Sequence, residues 1–284
     1  ADWNAYLASR IKAALGIPYV VSLHTNPDVS PFRRVLTGKL TREQERHNAF
    51  YDYIERVALG HADLVMPVYK SILPYLQRLG IRERVEVCYN VTNRERLRQK
   101  PGYDLHQPAR VICVGRLYGE KNPTQIIRAI AQLPGVQLTI VGDGPLRPEL
   151  EQLARDLRVA DRVIFRPSVM NDELCELLAQ QDIFAVHTQA WEINKSVLEA
   201  LLTGLPVVIN RRVGEPVPEL DGDFVVQVPD TQEAYREALN RLLTDDAARA
   251  SLGRRALAHS RSLWAPELAE ARYVEIYRRF VPSA

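Results

Sequence analysis

No polybasic or polyacidic stretch runs through this chain. Its 37 basic and 35 acidic residues are spread over 284 positions and leave a net charge of +2, so the charge pattern argues for neither nucleic acid nor a strongly anionic surface as partner. Cysteine is scarce: Cys88, Cys113 and Cys175 lie far apart. They form none of the close pairs that metal sites and redox motifs require, and an odd count does not suit a disulfide framework, so a reducing cytoplasm is the expected setting. No apolar run reaches the roughly 18 residues needed to span a bilayer, and the first residues lack the basic-then-apolar pattern of a secretory signal. Contact with a membrane is expected to be peripheral at most, at its inner face. The chain starts at Ala1 without a methionine and enters a helical pattern at once, Trp3, Tyr6, Leu7, Ile11 and Ala14, with no strand before it. It contains no internal repeat or low-complexity tract.

What is present reads as a soluble globular protein, 46% hydrophobic and 25% charged, and the length suits two α/β domains. The first helix is closed by Gly16 and Pro18 and followed by the strand Tyr19–Leu23, which ends at His24. Residues 27–48 show little periodicity. A helix resumes through Tyr51, Ile54, Val57 and Leu59, then come a strand over 63–68, a helix from Tyr69 to Leu79 stopped by Gly80, and a strand over Val85–Tyr89. Residues 92–108, with four Arg or Lys, two Pro and one Gly, read as a surface linker.

Beyond the linker the alternation becomes regular. Strands are expected at 110–114, 137–141, 163–165, 182–186, 206–209 and 224–228, each separated by a helical stretch, with only helix after Asp230 and a break near Trp264-Ala265-Pro266. Such alternation implies parallel strands joined by crossover helices, a doubly wound α/β domain. The domain limits drawn on this basis are 1–95, 96–260 and a final helix in 261–284 that packs back on the first domain. Trp3, Trp191 and Trp264 are expected to serve core or interdomain packing rather than to stack on a sugar.

In open parallel sheets ligands bind beyond the carboxyl ends of the strands, so the informative residues should follow them. Gly115 lets the chain turn off its strand, and Arg116 and Lys121 then place two cations beside the helix start Asn122-Pro123, an arrangement that suits a diphosphate. Taken alone, the two could equally be solvated loop charges. In Trp191-Glu192-Ile193-Asn194-Lys195-Ser196-Val197-Leu198-Glu199, residues Asn194 to Ser196 would present free backbone N–H groups at a helix start, a seat for a phosphate oxygen. Glu199 lies one turn further in, on the face of Ser196, where a carboxylate can accept from adjacent ribose hydroxyls; Ser196-x-x-Glu199 could instead be a capping box. Gly142-Asp143-Gly144 permits close approach by a ligand or merely a tight turn. With no third glycine and no suitably placed ribose acid, a dinucleotide-dehydrogenase reading fails.

The succession Val114-Gly115-Arg116-Leu117, Glu120-Lys121-Asn122, Ile140-Val141-Gly142-Asp143-Gly144-Pro145, and Leu198-Glu199-Ala200 with Gly204-Leu205-Pro206-Val207-Val208 resembles the family-four retaining glycosyltransferases, the glycosyl transferases group 1, of the GT-B fold with its two Rossmann-like domains. His24-Thr25 resembles the family's strand-end histidine, Asn90-Val91 its interdomain strand. The resemblance implies that Arg116 and Lys121 bind the diphosphate of a UDP- or GDP-sugar, that Glu199 binds the ribose, that backbone near Val169 holds the base, and that His24 touches donor sugar or acceptor. It adds Gly115, Gly142, Asn194, Lys195, Ser196 and Leu198 to the donor site.

Two departures stand out. The family's first glutamate falls at Trp191 here, with Glu192 one residue late; either Glu192 serves, or the donor-sugar contact has changed. The family's first strand and glycine-rich loop have no counterpart before Ala1, so the first domain is expected to be incomplete. The implied activity is metal- and cofactor-independent transfer of a sugar to an unidentified hydroxyl of a glycan, lipid or small molecule. A sugar-nucleotide epimerase of the same fold and a binding-only relic are the competing readings.

Overall fold

The computed structural model describes residues 3–24, 26, 41–90 and 92–281. Thr25, Val91 and the 27–40 part of the aperiodic stretch lie outside the described residues. The chain divides into two compact units, Ala1–Val91 with Glu267–Ala284, and Thr92–Pro266. Residues 92–95 and 261–266 thus fall within the second unit, a correction to the limits drawn from sequence.

The first unit opens with helix α1 (Trp3–Leu15), strand β1 (Val20–Leu23), helix α2 (Arg42–Gly60) and strand β2 (Leu64–Pro67), then a 3₁₀ turn, Lys70–Ile72, leading into α3 (Leu73–Arg78). Strands β1 and β2 pair in parallel, Val20 opposite Leu64 through Leu23 opposite Pro67. Helix α2 begins within the segment that showed no periodicity; Glu43 and Glu45 occupy its first turn, where the helix dipole favours negative charge. The strand expected at Val85–Tyr89 is reduced to one parallel bridge, Val65 to Val85. Hydrogen bonds from Glu86 and Cys88 follow the edge of β2 without closing a regular ladder.

The second unit alternates β3 (Ala109–Val114), α4 (Thr124–Ala131), β4 (Val136–Val141), α5 (Arg147–Asp156), β5 (Val163–Arg166), α6 (Asn171–Ala179), β6 (Ile183–Val186), α7 (Lys195–Thr203), β7 (Val207–Asn210) and β8 (Val226–Val228), followed by α8 (Gln232–Thr244) and α9 (Asp246–Trp264). The six strands form one parallel sheet in the order β5-β4-β3-β6-β7-β8. Every residue of β6 and β7 is buried, the mark of a parallel sheet covered on both faces. A helix was expected between β7 and β8, but only the 3₁₀ turn Pro218–Leu220 forms; Pro216 and Pro218 remove amide donors a longer helix would need.

The surface linker expected at 92–108 is instead fastened to the second unit. Lys100 is only 8% exposed and donates to the Gln181 carbonyl, 3.6 Å from Asp182, which also accepts from the backbone N–H of His106 and Arg110. The Lys100 charge, read as part of a surface linker, is thus paired inside the fold. Trp264 is buried against the rings of Phe224 and His259, whereas Trp3, expected to pack, is 52% exposed beside Tyr6 and Phe50.

The last helix, α10 (Pro266–Arg278), belongs to the first unit from Glu267 onward. Its Ile276 enters the core of Leu64, Met66 and Cys88, flanked by Val20, Tyr273 and Phe280. Glu86 accepts from Arg272 and from both terminal nitrogens of Arg279. Among the described residues no helix is long and apolar enough to cross a membrane.

Candidate active site

The parallel register brings the strand ends level. Val114 lies opposite Val141, Val141 opposite Arg166, and Val186 opposite Ile209, so the segments after β3, β4, β5, β6 and β7 all emerge along one edge of the sheet.

Two of these segments are locked backbone to backbone. The Gly115 amide donates to the Val141 carbonyl at 3.0 Å, Leu117 to Asp143 at 2.9 Å, and Leu146 back to Leu117 at 3.1 Å. A Cβ at Gly142 would lie 2.0 Å from the Gly115 oxygen, and one at Gly144 2.3 Å from the Leu117 oxygen. What approaches the Cβ positions of these glycines is the neighbouring loop, so of the two uses weighed for Gly142 and Gly144 the tight turn is the one that accounts for the missing side chains. Above this platform the stem of Lys121 passes 3.3 Å from where a Gly115 Cβ would be. Burial, and then the nearby Arg116 charge, lower the Lys121 pKa, while Glu192 pulls it back up. Arg116 is exposed, its guanidinium 5.8 Å from the centre of the Tyr118 ring.

Helix α7 meets the same loop. The Ser196 hydroxyl donates to the carbonyl of Val114, the residue before Gly115, at 3.3 Å. The capping box is not formed: the helix is capped at Asn194, whose side chain donates to Thr188 Oγ1 rather than bonding the helix amides. Thr188 is in turn fixed by Asn210, which accepts from its N–H at 2.7 Å and donates to its carbonyl at 3.0 Å. The Leu198 amide is spent on the Asn194 carbonyl. Glu199 is 2% exposed; its Oε1 accepts from Asn171 Nδ2 at 2.7 Å and lies 3.6 Å from the exposed Lys195 ammonium. Burial raises the Glu199 pKa, opposed by Asn171 and Lys195. Val169 lies half-buried in the loop from β5 to α6, beside Ser168, whose N–H donates to Asp143 at 2.7 Å.

Glu192 stands near Lys121 and near Glu219, which is buried on the turn after β7. Burial pushes the Glu192 carboxyl up to about 7, Lys121 drawing it down and Glu219 raising it further. Among the described residues no group of three or more His, Cys, Asp or Glu side chains is placed to hold a metal ion.

The sequence reading overlooked four contributors: Asn171, Asn210, Glu219 and His187. The imidazole of His187 accepts from the Asn122 N–H at 3.0 Å, next to Lys121, and faces Asp230 at 3.1 Å. Its place directly after a strand was the available signal, by the strand-end rule that singled out Gly115. Asn171 carried no such signal, since only the fold brings it to Glu199. His24 belongs to the first unit, exposed just beyond β1, with Nε2 3.0 Å from Ser22 Oγ.

Compared with known proteins, residues 93–259, more than half the chain, match the family described as glycosyl transferases group 1, and residues 1–96 match glycosyltransferase family 4. The lipopolysaccharide core biosynthesis glycosyltransferase LpsE of Rhizobium meliloti (strain 1021) is 30% identical over 210 residues, covering 72% of this chain and 61% of that protein. The GDP-mannose-dependent alpha-(1-6)-phosphatidylinositol monomannoside mannosyltransferase of Mycolicibacterium smegmatis is 34% identical over 170 residues, covering 56% of this chain and 44% of that protein. The chain therefore spans less than two thirds of either relative's length. Among solved structures, Anabaena HepE in complex with UDP superposes with a TM-score of 0.76 at 19% identity, over 97% of this chain and 76% of that one. The fold is of the GT-B type.

Proposed function

Because the chain belongs to the group 1 glycosyltransferases, we propose that it serves the transfer of a sugar from a nucleoside diphosphate to an acceptor hydroxyl, with retention at the anomeric carbon and without a metal. One observation carries this reading: the Ser196–Val114 hydrogen bond sets the front of α7 against the loop that bears Arg116 and Lys121. A pyrophosphate there would meet two cations and the unoccupied amides of a helix start, while Glu199, held by Asn171 one turn further in, would take the ribose.

Departure of the diphosphate leaves an oxocarbenium-like sugar, and the acceptor hydroxyl attacks from the face the leaving group vacates, so no protein nucleophile is needed. Negative charge grows on the phosphate as the bond breaks. Lys121, partly withdrawn from water, and Arg116 therefore favour the transition state over the ground state. Glu192, beside Lys121, is the acid available to the donor sugar where the family's glutamate is replaced by Trp191.

Both bases occur among the relatives: the HepE structure holds UDP and the mycobacterial enzyme is GDP-mannose-dependent. The test is a thermal-shift panel of UDP, GDP and their sugars with and without chelator, since a ligand that binds only the folded state raises its apparent stability with occupancy. A shift with one base series, unchanged by chelator, is expected; the absence of any shift sinks the donor-site reading. Product analysis for a transferred sugar then separates transfer from epimerisation.

A further inference from the structure

His187, 6% exposed at the end of β6, makes none of the donor contacts proposed above. Its two ring nitrogens face opposite demands. Nδ1 lies 3.0 Å from the backbone nitrogen of Asn122, which can only donate, so Nδ1 must present its lone pair. Nε2 lies 3.1 Å from Oδ2 of Asp230, so the single ring proton belongs there. The loop after β6 grips the same turn a second time: the Gln189 N–H donates to the Glu120 carbonyl at 2.9 Å. Lys121 thus stands between two anchor points, one indifferent to pH and the other dependent on an unprotonated nitrogen.

We propose that His187 is a positioning residue for the turn carrying Lys121, and that a proton on its Nδ1, set against the Asn122 N–H, releases the turn and weakens diphosphate binding. Only that last step rests on the donor-site reading; the grip on the turn does not. Several titratable groups surround the ring. Asp230, between β8 and α8, favours the imidazolium. The Cys113 thiol on β3 meets the His187 backbone and feels the charge of Lys121. Tyr235 on α8 donates its hydroxyl to the Val186 carbonyl at 2.9 Å and faces Asp230. Burial outweighs the pull of Asp230 and holds the imidazole below its ordinary value, so the ring is neutral at neutral pH and the turn is released on acidification.

The test follows amide-exchange protection of residues 119–122, and binding of UDP and GDP by calorimetry, from about pH 8 to about pH 5, where histidine titrates. Wild type is compared with His187→Asn, whose Oδ1 can accept from Asn122 but gains no proton, and with Asp230→Asn, which leaves the ring in place. In the wild type, protection should fall by up to about tenfold per pH unit once the ring titrates, the limit for one linked proton. His187→Asn should stay flat, and Asp230→Asn should lose protection only at a lower pH. The affinity of wild type relative to His187→Asn should fall in step, a ratio from which the titration of the nucleotide's own phosphate cancels. Parallel protection profiles in wild type and His187→Asn, or an unmoved midpoint in Asp230→Asn, would overturn the proposal. The expected protection profiles with no nucleotide bound at the upper pH would uphold the grip and sink the donor site instead.

Discussion

The side-chain amide of Asn171, at the start of α6, donates to Oε1 of Glu199 on α7 at 2.7 Å, so one helix aims a carboxylate carried by another. Burial works against the ionised carboxyl, and this hydrogen bond is the first of the contacts that favour it. With one oxygen so occupied, the carboxylate presents its other oxygen in a fixed direction. If that oxygen serves a ribose, Asn171→Ala should weaken nucleoside-diphosphate binding by about tenfold, the scale of a hydrogen bond to a charged group. The preference for ribose over 2′-deoxyribose nucleotides should shrink with it. Calorimetry with both nucleotides checks this; an unchanged preference would remove Glu199 from the ribose.

Arg116 and Lys121 differ in exposure, and their effects should differ in kind. Arg116 is exposed above Tyr118, so its removal leaves no buried partner behind and folding should be preserved. Arg116→Ala is expected to lower turnover by roughly 10²–10³, the range for losing a preorganised charge at a developing anion, with a smaller change in KM. Steady-state kinetics with the donor found by the thermal-shift panel decide it. Wild-type turnover in the variant would place the diphosphate elsewhere.

The doubly wound unit was legible because parallel strands buried on both faces leave short apolar runs such as 206–209, and helices leave Gly or Pro at their ends. The strand-end rule then pointed to Gly115 and to the start of α7. What escaped was decided by contacts remote in sequence. Lys100 reads as a solvated linker charge until Asp182 is folded beneath it, and Val85–Tyr89 has the composition of a strand but closes no regular ladder with β2. Ser196 and Glu199 carry the spacing of a capping box, yet Asn194 lies two residues earlier and takes the cap, freeing both side chains for Val114 and Asn171. No local pattern could have shown that His187 reaches Asn122.

The locked loops yield a contrast between two glycines. Gly144 (φ 158°) faces the Leu117 backbone, whereas Gly135 (φ 73°) has open space where a Cβ would be. Gly135→Ala should cost only the left-handed strain, about 1 kcal/mol. Gly144→Ala adds a clash with rigid backbone and should cost roughly 2–4 kcal/mol or prevent folding. Urea unfolding of both variants tests this; equal costs would mean that the two loops can separate freely.

Glu192 offers a pH test that needs no ligand. Burial raises its carboxyl to about 7 in the folded protein, net of the attraction of Lys121, against an ordinary value of 4.5. Between those two values the folded state holds a proton that the unfolded chain has released. Stability from this group is therefore fully present below the ordinary value, declines as pH rises through the interval, and is flat above it. Glu192→Gln, which cannot ionise, should be more stable than wild type by roughly 1–3 kcal/mol at about pH 8, with the difference vanishing towards about pH 4.5. Unfolding curves of the two proteins that run parallel across the interval would show that Glu192 ionises as freely as an exposed carboxylate, and would take from it the proton that the buried site beside Lys121 is argued to hold.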